Sequence, residues 1–333
     1  MGQASDISRL VVDLGGTHVR FAMLAPGQAA PEQVRVRRVA EHGSLEEAAR
    51  AYLADIDGPA PREGAIAVAT AVLGDEVAIT NAPWRFSVSA LRAALGLTRL
   101  TVLNDFTALA LALPQLPREA LLPIGGGAAV AGKPVALIGP GTGLGVSGLL
   151  PDGRGGWVAL EGEGGHQTLS ATTAREEIVR AAIAAAHGHA SAERFLSGPG
   201  LVTGYRALCA ADGVAPHARV VDGASLDALA EAGGDPRAVE IRQQFCAQLG
   251  TVAGNLVLML GAVGGLYLGG GILPRWKHWL AGSAFRERFE AKGRYRGYLS
   301  RVPVWLIDSP VSPALWGAGA ALDAGRYGYS VNM

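Results

Sequence analysis

LVVDLGGTHVRFAML, residues 10–24, and VALIGPGTGLGVSGLL, residues 135–150, follow one plan. Each is an apolar run, a turn containing Gly-Thr, and a second apolar run. Short apolar runs bounded by glycine predict strands, and two of them joined by such a turn predict a hairpin. The first hairpin is expected to pair Leu10–Leu14 with Val19–Leu24. The second is expected to pair Val135–Ile138 with Val146–Leu150. Their similarity predicts two related domains, each opening with the same hairpin.

The segments around them alternate between strand and helix. Ser44 to Ile56 reads as a helix, with Ser44 and Glu47 as a capping box and Leu45, Ala48, Ala49, Tyr52 and Leu53 on one face. Ala65 to Val72 reads as a strand, followed by a turn at Gly74-Asp75. Leu100 to Leu103 is a strand that runs into a helix from Phe106 to Leu113, stopped by Pro114 and Pro117. Helices are expected at Thr173–His187, Gly200–Ala211 and Pro236–Leu260. Strand plus glycine turn is expected at Gly265–Gly271, a strand at Val302–Ile307 and a last helix at Ser312–Asp323. This alternation indicates an α/β architecture.

Composition narrows the classes of function. The chain has 333 residues, of which 47 are glycine, with 49% apolar and 6% aromatic residues. Low charge and high apolar content argue against disorder, and the glycines show no collagen period. Lys+Arg and Asp+Glu both number 29, so the formal net charge is zero. The lysines are Lys133, Lys277 and Lys292, and the arginines are scattered, so neither nucleic acid nor an anionic membrane is expected as a partner. Cys209 and Cys246 stand alone, without zinc spacing or a disulfide framework. That usage fits a reducing, cytoplasmic setting, as does a polar Met1–Ser8 without the apolar core of a signal peptide. Leu249 to Leu273 carries no charge and is long enough to span a bilayer. Its many glycines favour a buried helix ending near Gly261, a turn and a short strand.

The glycine turns suggest chemistry. In Asp13-Leu14-Gly15-Gly16-Thr17, adjacent glycines let backbone N–H groups approach a phosphate, and the Thr17 hydroxyl can donate. Asp13 beside a phosphate needs an intervening cation, which makes it a candidate Mg²⁺ partner through water. The same composition also suits a solvated hairpin turn. Gly139-Pro140-Gly141-Thr142-Gly143-Leu144-Gly145 is a second such loop. It lacks the Gly-Lys-Ser/Thr ending of a P-loop, and it leads into a strand rather than a helix, unlike a Rossmann fingerprint. Together with Gly269-Gly270-Gly271, the two hairpins resemble the split nucleotide site of the actin-like ATPase superfamily, in which two domains clamp ATP.

The polar candidates each admit two readings. Asn104-Asp105 sits between strand and helix. Asp105 is either the N-cap of that helix or a general base at a strand end. Glu163 and His166, in a glycine-rich loop expected to lack regular structure, are either surface residues or ligands of a polyhydroxylated molecule. Glu193 is either an ordinary exposed helix residue or another such ligand.

Nine segments in order resemble the bacterial glucokinase family: DLGGTHVRFA, GDEVAITNAPWRFS, LNDFTALALALP, GPGTGLGV, EGEGGH, HASAERFLSGPGL, YLGGGILPR, FRERFEAKGRY and VPVWLI. The resemblance runs from about Val11 to Leu322. It implies a two-domain actin-like ATPase (ribonuclease H-like) fold with an interdomain cleft. The small domain would be 1–116 plus 308–333 and the large domain 117–307. It implies ATP-dependent phosphorylation of D-glucose at the 6-hydroxyl, with ATP and Mg²⁺ as cofactors, in a cytoplasmic homodimer. Asp105 would be the base. Asn104, Glu163, His166 and Glu193 would bind the other hydroxyls, with Asn81 nearby. Asp13, Gly15, Gly16, Thr17, Gly141, Thr142 and Gly143 would hold phosphates and Mg²⁺, and Gly269, Gly270 and Gly271 would lie by the adenosine.

The related repressor and kinase family carries a Cys-rich zinc motif directly after its His; no cysteine stands there after His166, which favours the glucokinase family. Two positions depart from the family pattern. Ala69-Thr70-Ala71-Val72-Leu73 lacks its usual proline, and Ile307-Asp308-Ser309-Pro310 replaces His-Asp-Asn-Pro, near where adenine would bind. The alternatives are a kinase for another hexose or amino sugar, and a non-catalytic sugar-responsive regulator. A DNA-binding regulator would need a helix-turn-helix ahead of the first strand, and an actin-like scaffold would not need the EGEGGH and SAER segments.

Overall fold

A computed structural model of the chain describes residues 8–25, 30–79 and 82–332. The strands in chain order begin with β1 (Arg9–Leu14), β2 (His18–Leu24), β3 (Glu32–Arg38), β4 (Glu63–Val68), β5 (Glu76–Ala78), β6 (Arg85–Ser87) and β7 (Arg99–Asn104). They continue with β8 (Leu121–Gly125), β9 (Val135–Pro140), β10 (Leu144–Pro151), β11 (Trp157–Ala159), β12 (Gly265–Leu268), β13 (Val304–Ile307) and β14 (Tyr329–Asn332). The helices begin with α1 (Leu45–Ala54), α2 (Val88–Ala94), α3 (Asp105–Ala112), α4 (Ala174–His187), α5 (Ala192–Phe195) and α6 (Gly198–Ala211). They end with α7 (Gly223–Glu231), α8 (Pro236–Leu260), α9 (Phe285–Glu290), α10 (Arg296–Leu299) and α11 (Ala314–Ala324).

The chain divides into two compact units. Unit one takes the described residues up to Arg118 together with those from Ser309 on, and unit two is Glu119–Asp308. Unit one is built on a sheet of order β14-β7-β4-β1-β2-β3, and unit two on a sheet of order β11-β10-β9-β12-β13-β8. Both contain the same arrangement: a hairpin whose first strand pairs in parallel with the next strand of the sheet. Thus β1 is antiparallel to β2 and parallel to β4, and β9 is antiparallel to β10 and parallel to β12. The repeat read from the two hairpin segments is therefore a repeat of topology.

In unit one, β1 is buried on both faces. Leu10, Val12 and Leu14 pack on a core that includes Tyr52 of α1 and Leu91 of α2. Val11, with Ala22 and Ala65, packs instead against Leu315, Ala318 and Leu322 of α11. Small residues on that face let the helix come close. Gly317 of α11 is required by close approach to α3, because a Cβ there would stand 1.6 Å from the Ala108 carbonyl oxygen. The Ser44–Glu47 box is only partly formed. Ser44 Oγ accepts from Glu47 N–H at 3.1 Å, but the Glu47 carboxylate takes the N–H of Gly43, one residue before the cap. The strand expected over 65–72 ends at Val68, because Thr70 N–H folds back onto the Val68 carbonyl at 2.8 Å.

In unit two, the uncharged stretch Leu249–Leu273 resolves into the end of α8, a left-handed Gly261 (φ 61°) that closes it, and β12. Leu249, Val252, Ala253, Leu256 and Val257 enter the core with Phe245, Trp276, Phe285 and Phe289. Among the described residues, no helix is long and apolar enough to cross a membrane.

Candidate active site

Parallel strands bring their C-terminal ends to one edge of a sheet, where the following loops form ligand sites in open α/β sheets. In unit one the register aligns Leu14 with Val68 and Val68 with Asn104. One edge therefore carries Gly15-Gly16-Thr17, the Ala69-Thr70 turn and Asn104-Asp105. The hairpin turn is held by Gly15 N–H donating to the His18 carbonyl at 3.0 Å and Val39 N–H donating to the Thr17 carbonyl at 2.9 Å. Gly15 is thus already committed within its own turn. Among the described residues, no backbone partner takes the N–H of Gly16 or Thr17. Asp13 is opposite Arg20 in the β1–β2 register, and Arg20 Nη1 donates to Asp13 Oδ2 at 3.0 Å.

The helix cap falls on Asn104 rather than Asp105. Asn104 Oδ1 accepts from Phe106 N–H at 2.8 Å and Thr107 N–H at 3.2 Å. Asn104 is the non-helical N-cap, and Asp105 is the first helical residue of α3. Of the two readings of Asp105, capping is therefore overturned as its main role, although Phe106 N–H also lies 2.9 Å from its Oδ1. The cap constrains Asn104 in turn. Its oxygen is spent on the helix and its amide nitrogen donates to the Thr70 carbonyl at 3.4 Å. Any contact from Asn104 to a ligand has to use Nδ2. Asn81 lies outside the described residues.

In unit two the parallel register of β9 and β12 places Leu268 beside Ile138. The Gly139–Gly143 turn and Gly269–Gly271 are therefore neighbours. Gly269 N–H donates to the Ile138 carbonyl at 2.9 Å. Gly270 is left-handed (φ +80°), and a Cβ on it would stand 2.3 Å from the Pro140 carbonyl oxygen. Within the first turn, Gly141 N–H donates to the Gly143 carbonyl at 2.8 Å, and the Gly141 carbonyl accepts from Gly198 N–H at 2.9 Å. Gly141 therefore offers no free donor. The N–H groups of Thr142 and Gly143 have no backbone partner among the described residues.

Gly141, Thr142 and Gly271 line a cavity of about 590 Å³ together with the first residues of α6 and α7 and the side chains of Thr203, Arg206, Val221, Asp222 and Arg275. That volume lies within the range of small-molecule sites. Asp222 caps α7, and the backbone N–H of Ser225 holds its carboxyl below the ordinary range. The sequence reading missed Arg206 and Arg275. Arg206 sits in no motif and Arg275 ends the YLGGGILPR segment without a role assigned to it, and only the packing of α6 and the turn after β12 brings them to one cavity.

His166 and Glu193 are 27 positions apart in sequence but come together. Thr168 bridges Ser191, Leu169 N–H donates to the Ala190 carbonyl at 2.8 Å, and Ala192 N–H donates to the Gln167 carbonyl at 2.7 Å. This ladder sets His166 Nε2 3.8 Å from Glu193 Oε1. The loop is more regular than its glycines suggested, because Gly164–His166 form a 3₁₀ turn. Glu163 precedes that turn with an exposed side chain that has no hydrogen bond or ion pair among the described residues. Glu193 is not an ordinary surface residue. Its Oε2 accepts the N–H of Leu144, at the start of β10, at 3.0 Å.

A magnesium ion is the remaining component implied. Among the described residues, no group of three or more His, Cys, Asp or Glu side chains is arranged to hold a metal. Mg²⁺ bound with a nucleotide usually keeps several waters and needs only one or two carboxylates besides the phosphates. The Asp13 carboxylate fits that requirement through Oδ1, since Oδ2 is held by Arg20.

The glucokinase family model matches residues 10–325 of this chain. The chain belongs to the glucokinase family. It is 49% identical over 323 residues to a glucokinase of Aromatoleum aromaticum, covering 97% of this chain and 96% of that one. A solved glucokinase from an Antarctic psychrotroph is 36% identical, with a TM-score of 0.84 over 96% of this chain and all of that one. A ROK family glucokinase from Streptomyces griseus, solved with glucose and AMPPNP, shares the fold at 19% identity, with a TM-score of 0.64 over 95% of this chain and 98% of that one. The glucokinase family thus carries the actin-like α/β fold onto this chain.

Proposed function

We propose that this chain is an ATP-dependent glucokinase that transfers the γ-phosphoryl group of ATP to the 6-hydroxyl of D-glucose, yielding glucose 6-phosphate and ADP. Family membership supports the activity. The observation that carries the site is the junction in unit two. A carboxylate–imidazole pair, Glu193 and His166, abuts a glycine turn that lines a cavity of nucleotide-accommodating size.

Phosphoryl transfer needs positioning and charge neutralisation more than covalent help. Glu163, His166 and Glu193 bind sugar hydroxyls, and Asn104 adds a donor through Nδ2. Fixed polar partners of this kind discriminate strongly against sugars that lack the matching hydroxyl. Asp105 accepts the proton of the attacking hydroxyl, which requires an approach of about 3 Å. The N–H groups of Gly16, Thr17, Thr142 and Gly143, which have no backbone partner among the described residues, stabilise charge on the phosphates, while Gly15 and Gly141 shape their turns. Gly269, Gly270 and Gly271 keep side chains away from the adenosine end. Asp13 would hold magnesium through water, and the ion would supply neutralisation of phosphate charge.

Asp105 and Asn104 belong to unit one and Glu163, His166 and Glu193 to unit two, so the reading requires both groups to act on one sugar. The two units support a small domain of 1–116 plus 308–333 and a large domain of 117–307. A cytoplasmic homodimer completes the reading. The test is a coupled assay of ADP formation with glucose and ATP·Mg²⁺, repeated with mannose, fructose and glucosamine. No glucose-dependent ADP formation refutes the activity, and a faster rate with another hexose moves the assignment to that sugar.

A further inference from the structure

Three segments meet at the start of β10. The first is the glycine turn itself, ending at Gly143-Leu144. The second is the hydroxyl-binding loop. Its Gly165 lies so close that a Cβ there would stand 2.1 Å from the Leu144 carbonyl oxygen, while a Cβ on Gly164 would meet Val146 at 2.8 Å. The third is the first turn of α5, whose Glu193 places Oε2 3.0 Å from Leu144 N and Oε1 3.8 Å from His166 Nε2. One carboxylate therefore touches both the phosphate-side turn and the sugar-side loop.

We propose that Glu193 is a positioning residue for the phosphoryl donor, holding the 139–145 turn in its nucleotide-binding shape through the N–H of Leu144, in addition to facing the sugar. This rests on the reading of that turn as a phosphate site. The physical chain is short. The carboxylate fixes the peptide between Gly143 and Leu144. The carbonyl of that peptide, Gly143 O, is the acceptor that closes the turn onto Gly141 N–H at 2.8 Å. The closed turn leaves the N–H groups of Thr142 and Gly143 without a backbone partner among the described residues. A Cβ on residue 143 would stand 2.5 Å from Glu193 Oε2, so a side chain there would push the carboxylate off its present position. The backbone itself tolerates a side chain there, because φ at this residue is not in the left-handed region. Glu193 and the turn thus form one unit, and removing either partner releases the other.

The test is nucleotide affinity in the absence of sugar, where a residue that serves only glucose has no effect. AMPPNP·Mg²⁺ is titrated calorimetrically into the full chain, into Glu193→Ala, Glu193→Gln and Gly143→Ala, and into the Gly143→Ala/Glu193→Ala double variant. Loss of the charge-assisted Glu193 contact is expected to weaken nucleotide binding about tenfold or more. Glu193→Gln keeps an oxygen able to accept the Leu144 N–H and is expected to restore most of that loss. Gly143→Ala is expected to weaken binding in the parent and to add nothing in the Glu193→Ala background, the signature of one shared contact. Unchanged affinity in Glu193→Ala, or fully additive effects in the double variant, overturns the proposal. Failure of the parent itself to bind AMPPNP·Mg²⁺ would instead strike at the proposed function. Circular dichroism of each variant separates loss of the contact from loss of fold.

Discussion

Replacing Glu176 should uncouple three helices of unit two, and the cost follows from its surroundings. Glu176 sits in the first turn of α4 and is 4% exposed. Its carboxylate accepts from Thr172 N–H at 2.7 Å, Thr172 Oγ1 at 2.8 Å and Arg288 Nη1 of α9 at 2.7 Å. Arg288 also donates to Thr251 Oγ1 of α8 at 3.0 Å. Glu176→Ala leaves a largely buried guanidinium with a single neutral partner and an orphaned Thr172 N–H. Breaking one side of a buried pair costs about 3–5 kcal/mol. We expect that loss in urea-unfolding free energy, followed by far-UV circular dichroism. Glu176→Gln, which keeps an acceptor but no charge, should lose less. Replacing both Glu176 and Arg288 by methionine should recover much of the deficit, because no buried charge is then left alone.

The pH dependence has a definite sign. Burial opposes ionisation of Glu176, but hydrogen bonds from Arg288 and Thr172 outweigh it and hold the carboxyl below its ordinary value of 4.5. The folded state therefore binds this proton less readily than the unfolded chain does. The stabilisation is complete above pH 4.5 and is lost as pH falls through the lower folded value. The stability gap between the parent and Glu176→Gln should be constant near neutrality and narrow in acid. A Glu176→Ala variant within about 0.5 kcal/mol of the parent, the usual range for surface changes, would refute the reasoning.

Asp105→Asn should lower kcat by about 10²–10⁴-fold, the usual value of general-base help. It should leave thermal unfolding nearly unchanged, because Asn104 and not Asp105 caps α3. A variant retaining a tenth of the parent rate would remove Asp105 from the base role. A reading in which the two units close on the sugar to exclude water as a competing acceptor predicts that saturating glucose reduces the radius of gyration in small-angle scattering. An unchanged scattering profile would contradict closure.

Much of the fold was legible where burial imposes a pattern. The β1–β2 and β9–β10 hairpins, α4, α6, α8 and α11 all show apolar runs or helical spacing, and α4, α6 and α8 begin at side-chain caps. The strand β3, EQVRVRR, did not. It lies at the edge of its sheet with its side chains mostly exposed, and its alternation is confined to Val34 and Val36, the second of them itself exposed. The three-residue β5 and β6 are too short to carry a period. At the candidate site, residue types were legible but hydrogen-bond commitments were not. Nothing local distinguishes Gly141, whose N–H closes its own turn, from Gly143, whose N–H stays open. Nothing local says that the oxygen of Asn104 is consumed by the helix. The cavity arginines Arg206 and Arg275 depend on packing across more than sixty positions.

The way unit one is assembled has a consequence for biosynthesis. Its sheet is finished only when β14 adds beside β7, and the apolar face formed by Val11, Ala22 and Ala65 is covered only by α11. Both elements follow unit two in the chain. On a ribosome moving at about 5–20 residues per second, the early strands wait roughly 10–40 s while Glu119–Asp308 emerges. Unit two is contiguous and can fold as it appears, whereas unit one must keep an apolar face unsatisfied until translation passes residue 324. Chaperone demand and truncation sensitivity should therefore concentrate on the part of the protein that is made first.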